Sequence, residues 1–196
     1  MMSKAEWNKN TEVKKGTYGE NLVKKYFEDK DFHVYETNTD GKHGFDFIID
    51  SMRGLMLFVD VKAIALRNVR PDTGITYTKY ESYKKYATER NMDFLLVFVD
   101  EEEKRIYGNT IKELDKKEHL IQDGIIYWLV ADMKSFRDLT EEEVKVLLGY
   151  VSRVTKLDPK NYRELYNKVN VPTRPYEPKV YDCAREGVRY EPTTEG

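Results

Sequence analysis

The sequence predicts an α/β domain in which a helix, three strands, a second helix and a fourth strand build a mixed central sheet flanked by helices, followed by C-terminal helices and an extended tail. Three observations predict it. Leu22, Val23, Tyr26 and Phe27 recur at helical spacing between Thr17 and about Lys30. Gly44-Phe45-Asp46-Phe47-Ile48-Ile49-Asp50 and Leu55-Met56-Leu57-Phe58-Val59-Asp60-Val61-Lys62-Ala63 are short runs rich in Val, Ile and Phe, separated by a Gly54 turn. Such runs read as strands of an antiparallel hairpin. Finally, Lys79 to Arg90 carries Tyr80, Tyr83, Tyr86 and Ala87 as a stripe and leads into Phe94-Leu95-Leu96-Val97-Phe98-Val99, a continuous apolar run expected of a strand covered on both faces.

The remaining elements follow in order. Residues 2–15 are polar and Lys-rich, a basic arm over 1–16 that is either a solvated terminus or a nucleic-acid contact. Phe32 to Asn38 is the first strand. Pro71-Asp72-Thr73-Gly74 reads as a polar turn before a short strand Ile75-Thr76-Tyr77-Thr78. A charged turn at Glu101-Glu102-Glu103-Lys104 leads to a short strand at Arg105-Ile106-Tyr107. Thr110 then opens a short helix to about Lys117, and Ile125 to Val130 is a further apolar strand. Thr140-Glu141-Glu142-Glu143 has capping-box spacing before Val144, Val146, Leu147 and Leu148, which predicts a helix. Pro159 opens another to about Lys168. The domain map is therefore a core over 17–135, a helical extension over 136–170, and a tail over 171–196. That tail holds Pro172, Pro175, Pro178 and Pro192, four of the six prolines, and is extended rather than helical.

At 196 residues, one packed domain is expected. The net charge of -2 supplies no global attraction to nucleic acid, so any such binding needs a local patch. Cys183 is the only cysteine, which excludes an intramolecular disulfide and a thiolate zinc site. The first fifteen residues lack the apolar core of a signal peptide, and no segment approaches the ~20 apolar residues that span a bilayer. A cytoplasmic protein is expected.

The chemistry lies in the hairpin. Side chains alternate along a strand, so Phe58, Asp60 and Lys62 share one face and Val59, Val61 and Ala63 the other. A carboxylate and an ammonium inside an apolar strand carry a desolvation cost that a purely structural strand would avoid. Asp46, on the adjacent strand, can join Asp60 in holding a hard cation such as Mg²⁺, which takes oxygen ligands and needs no histidine or cysteine. Lys62 can then orient the attacking water, help to deprotonate it, or neutralise charge on a phosphate. Glu20 admits two readings, a site residue or half of an i,i+4 ion pair with Lys24 on the outside of its helix.

Asp46, thirteen intervening residues, then Asp60-Val61-Lys62 resembles the PD-(D/E)xK nuclease superfamily, with Phe45 where the motif has Pro. Gly16-Thr17-Tyr18-Gly19-Glu20 resembles the Gly-x-x-Gly-Glu opening of the first helix in the archaeal Holliday junction resolvases and their bacterial relatives. The resemblance spans roughly the first hundred residues. It implies a restriction-endonuclease-like αβββαβ core and a metal-dependent DNA endonuclease acting on branched or otherwise structured DNA. It also implies Mg²⁺, with Mn²⁺ as substitute, held by Asp46, Asp60 and the Val61 carbonyl. Glu20 would be an outer or second-metal ligand, and Glu20, Asp46, Asp60 and Lys62 would be the catalytic set. Lys79 matches the polar or basic residue that begins the second core helix, and Lys14, Lys15, His43 and Lys79 are the expected nucleic-acid contacts. RNA as substrate and a homodimer are left open. Two other classes stand beside this reading: a catalytically silent nuclease-like module that binds nucleic acid or a partner, and a protein-interaction factor that works through its tail and tyrosines.

Overall fold

In the computed structural model, residues 11–36, 44–51, 54–64 and 71–155 are described. Helix α1 (Thr11–Glu28) begins earlier than its apolar periodicity does, so residues 11–16, expected within the arm, are helical. It stops where Lys30 and Asp31 donate back to Phe27 and Glu28 and Asp31 takes a left-handed φ of 60°. Three antiparallel strands follow, β1 (Phe32–Glu36), β2 (Phe47–Ser51) and β3 (Met56–Lys62). Helix α2 (Tyr77–Arg90) leads to β5 (Asp93–Asp100), which lies parallel to β3 with Asp60 beside Leu96. Strands β6 (Arg105–Thr110) and β9 (Lys134–Asp138) complete a six-stranded mixed sheet in the order β1-β2-β3-β5-β6-β9.

A second, three-stranded sheet departs from the expected layout. It contains β4 (Asp72–Thr76), β8 (Ile125–Leu129) and β7 (His119–Gln122), in the order β4-β8-β7. Pro71-Asp72-Thr73-Gly74 is therefore not a polar surface turn: from Asp72 the chain is already paired with β8, and Asp72 and Thr73 are buried. Tertiary pairing overrides the local turn chemistry of these residues. Strand β7 joins β8 through Asp123-Gly124, both at positive φ (51° and 73°), which is the two-residue hairpin geometry that an Asp-Gly pair favours. The helix begun by Thr110 is a single turn, α3 (Ile111–Leu114), with Thr110 Oγ1 accepting from the Glu113 amide.

The main sheet is covered on both faces. Leu22, Val23 and Phe27 of α1 and Val144 and Leu147 of helix α4 (Glu141–Thr155) pack on Phe47, Ile49, Val59, Val61, Val97 and Val99. The opposite face, with Phe58, Phe94, Leu96 and Phe98, receives Tyr80 and Tyr83 of α2 together with Ile126 and Trp128 of the small sheet. The β5 run is thus apolar on both sides for the reason expected. Helix α4 opens with a reciprocal capping box: the Glu143 amide donates to Thr140 Oγ1 at 3.2 Å and the Thr140 amide to Glu143 Oε2 at 2.9 Å. Arg137 of β9 grips the same Glu143 at 2.8 and 2.9 Å. The helix expected from Pro159 and the Pro-rich tail lie outside the described residues.

Because Leu147 is fully buried against α1 and the sheet, α4 is part of the domain core. Leu147→Ala should cost about 2–5 kcal/mol, the range for a buried leucine in a packed core. Urea unfolding of both proteins measures it.

Candidate active site

The antiparallel register sets Phe47 opposite Val59. Just before it, the Asp46 amide donates to the Val59 carbonyl at 2.9 Å, which holds Asp46 against β3 next to Asp60. Strand β2 begins only at Phe47, so no ladder carbonyl of β2 is in place for the Val61 amide; it donates instead to Asp46 Oδ2 at 2.6 Å. This bond ties the first acid to the strand that carries the second.

Asp60 is 3% exposed and faces α2 as the alternation of β3 requires. Tyr83 donates its hydroxyl to Asp60 Oδ1 at 2.8 Å, and its ring lies stacked on Phe94 at 4.4 Å with 7° between planes. Burial and then the adjacent Asp60 hold the phenol well above the ordinary tyrosine range, so Tyr83 remains a donor. Asp60 Oδ2 is in ion contact with Lys62 Nζ but receives no aligned hydrogen bond among the described residues. The same ammonium bonds the Val61 carbonyl at 3.2 Å.

Glu20 reaches this edge because of its neighbour. Gly19 is buried where α1 crosses the end of β3, and a Cβ there would stand 2.9 Å from the Cβ of Ala63. Glycine thus lets the helix lie directly on the residue that follows Lys62. The i,i+4 reading of Glu20 does not hold, because Lys24 bonds Glu36 Oε1 of β1 at 2.7 Å. Burial and then the charge of Asp46 hold the Glu20 carboxyl above its usual range, with Lys24 and Lys62 opposing and Asp60 adding. The Asp46 carboxyl is raised too, by burial first and Asp60 second, against the Val61 amide, Lys62 and Lys79. The four expected catalytic side chains therefore sit within one electrostatic neighbourhood.

The donors are hard oxygens, and one of them, Asp60 Oδ2, is buried with a cation, the Lys62 ammonium, already against it, so the residues fit a Mg²⁺ or Mn²⁺ ion. Among the described residues no three side chains of His, Cys, Asp and Glu are placed to hold a metal ion together, so Glu20 does not complete a three-carboxylate set with Asp46 and Asp60. Asp46, Asp60 and the Val61 carbonyl would hold such an ion with waters completing its shell, and Glu20 would stand behind them. Lys79 is exposed on the first turn of α2 and its charge is felt by Asp46. Lys14 is exposed on α1. Lys15, expected to meet nucleic acid, is instead committed to the buried Glu101, its Nζ 2.6 Å from Oε1. Lys84 is similarly paired with Asp115 at 3.0 Å. His43 lies outside the described residues.

Sequence reasoning missed the role of Tyr83, placing it only on the packing stripe of α2. Its distinguishing feature is that the α2 stripe faces the same side of the sheet as Asp60, which becomes visible once β3 and β5 are known to be parallel neighbours.

The helix, three antiparallel strands, crossover helix and parallel strand, with acids at the β2/β3 edge, give the αβββαβ core of a restriction-endonuclease-like fold. No protein-family model matches the chain, and no curated protein matches it. Among solved structures it is similar to Hjc of Archaeoglobus fulgidus, a Holliday junction resolvase from an archaeal hyperthermophile, at 11% identity and TM-score 0.45, over 60% of this chain and 90% of that one. It is also similar to a nuclease from a fusselovirus, at 14% identity and TM-score 0.40, over 69% of this chain and 90% of that one.

Gly19→Ala should cost roughly 1–3 kcal/mol by overpacking α1 on β3, and Ala63→Gly in the same chain should recover most of it; thermal unfolding of the single and double variants decides. The acids generate a second expectation. A carboxyl whose folded pKa is raised favours the folded state when protonated, so Asp46 and Glu20 weaken stability above their folded pKa values and cease to do so as pH falls below their unfolded ones. Asp46→Asn keeps an acceptor for the Val61 amide and removes the charge. In metal-free neutral buffer it should unfold at a higher temperature than the wild type, with the difference closing as the pH is lowered through the carboxylate range.

Proposed function

We propose that this protein is a metal-dependent nuclease that hydrolyses phosphodiester bonds in DNA, with branched or otherwise structured DNA as the substrate class. The observation that carries the reading is the juxtaposition of Asp46, Asp60 and Lys62 at the β2/β3 edge, with Glu20 brought up by the Gly19 contact. A buried strand end that gathers three carboxyls and one ammonium, with two of the carboxyls raised by burial and then by a neighbouring carboxylate, has the electrostatics of a cation site rather than of a structural core.

Bound there, Mg²⁺ or Mn²⁺ would polarise the phosphate and make its coordinated water a better nucleophile. The chain's own residues supply the rest. Asp46 is aimed by the Val61 amide, and Asp60 by the Tyr83 hydroxyl, so both carboxylates are fixed before substrate arrives. Lys62, 23% exposed, can reach a phosphate at the strand edge and neutralise the charge that grows on it, or hold the attacking water. Lys79 and Lys14 provide exposed positive charge to either side for the phosphate backbone.

Cleavage of a panel of labelled four-way junctions, flaps, duplexes and single strands in Mg²⁺, Mn²⁺ or EDTA tests the proposal. At least one DNA should be cut in the metals and none in EDTA; a panel left intact throughout would favour the silent binding module. Asp60→Ala should lose both cleavage and the metal response. Lys62→Ala should lose cleavage by about a hundredfold or more while keeping metal-dependent DNA binding, because the carboxylate acts in the ground state and the ammonium chiefly as charge develops.

A further inference from the structure

The Lys62 ammonium occupies a telling position. Its Nζ contacts Asp60 Oδ2 and bonds the Val61 carbonyl at 3.2 Å. These are two of the oxygens from which the ion site is built, the third contribution coming from Asp46. Asp60 Oδ2 is buried with the Lys62 ammonium against it, while Oδ1 is taken by Tyr83. What compensates the charge of Oδ2 is the nearness of a cation. An ammonium has three donors and no acceptor, so toward a carboxylate and a carbonyl it behaves as a coordinated ion does.

We infer that Lys62 is the resident cation of the metal-free site and gives up Asp60 Oδ2 and the Val61 carbonyl when a divalent ion binds. The inference rests on the metal-dependent reading above and deepens it. A divalent ion on these oxygens would stand at contact distance from the ammonium and repel it, so Lys62 sets the affinity of the site by competing for it. The exchange also orders events: the ammonium becomes available to phosphate or water only after the ion is in place. A Lys62 tied to Asp60 in every state would be able to do neither. In the metal-free protein the lysine serves stability, since Asp46, Asp60 and Glu20 would otherwise face one another without it.

Two measurements without DNA test this. Calorimetric titration with Mn²⁺ should show Lys62→Met binding at least about tenfold more tightly than the wild type, equivalent to about 1.4 kcal/mol. In EDTA the same variant should melt at a lower temperature, and Mn²⁺ should restore it. Should Lys62→Met not fold in EDTA, its recovery of the folded state on adding Mn²⁺ is the same result. Removing any positive charge beside an ion would raise affinity, so the second measurement reads displacement itself. Reductive methylation mapped by mass spectrometry should modify Lys62 faster in Mg²⁺ than in EDTA, with the exposed Lys79 as the internal reference. The inference stands only if both changes appear. Equal Mn²⁺ affinities, or methylation of Lys62 that Mg²⁺ does not accelerate, overturn it while leaving the nuclease reading intact, provided the wild type still binds Mn²⁺ and Asp60→Asn does not. A wild type that binds no Mn²⁺ and cuts no DNA overturns both.

Discussion

The hydrogen bond from the Val61 amide to Asp46 holds the two halves of the candidate site together. The Asp46 amide is already bonded to the Val59 carbonyl at 2.9 Å, but that backbone bond does not aim the carboxylate. By taking up a strand amide, Asp46 is fixed at the edge of β3, and the amide is satisfied in turn. Burying that carboxylate beside a second one is costly. The remaining elements around it read as responses to that cost: Tyr83 donates to Asp60, Lys62 supplies a positive charge, and Lys79 adds a more distant one.

Helix α1 depends on a different constraint, steric rather than electrostatic. Its apolar residues Leu22, Val23 and Phe27 would dock on the sheet with a larger residue at position 19, but farther from β3. The close approach at Ala63 is what brings Glu20 into range of Asp46. One turn earlier, Lys15 reaches the buried Glu101 at the end of β5, anchoring the N-terminal part of the helix over the same end of the sheet. A lysine that looked like part of a basic arm is thereby used to hold a helix in place.

The αβββαβ order was legible because each element carries its own period: Leu22 to Phe27 at helical spacing, Phe58, Asp60 and Lys62 at spacing two, and an uninterrupted Phe94 to Val99. The acids and lysine stood out because polar groups inside such patterns are exceptions. The small sheet was legible only in part: the apolar run from Ile125 reads as β8, and Ile75-Thr76 as the end of β4. Strand β4 opens with Asp72, Thr73 and Gly74, which locally favour a turn and become strand only by pairing with β8, while Tyr77-Thr78, expected to continue the strand, open α2 instead. Strand β9, Lys134–Asp138, has a single large apolar residue, Phe136, and owes its place to pairing with β6 and to the Arg137–Glu143 contact. The Asp123-Gly124 pair did carry a hairpin signal for β7, weakened by the short and polar His119–Gln122 strand before it. Tyr83 was hidden for another reason: its ring packs like its neighbours, and only the hydroxyl distinguishes it.

Strand β3 divides its labour by alternation. Val59 and Val61 face α1 and α4, where burial of apolar surface supplies stability. Phe58, Asp60 and Lys62 face α2, where aromatic packing from Phe94 and Tyr83 surrounds the charged pair with low-dielectric walls that strengthen every electrostatic interaction inside. Phe58 and Phe94, ring centroids 5.0 Å apart, close the site from the interior, and the strand end leaves it open at Lys62. Because the two faces share only backbone, the acids of one can be strained by mutual repulsion without loosening the packing of the other. The charge gathered on that face is met at the open end by Lys62, the side chain placed to exchange with a cation from solvent.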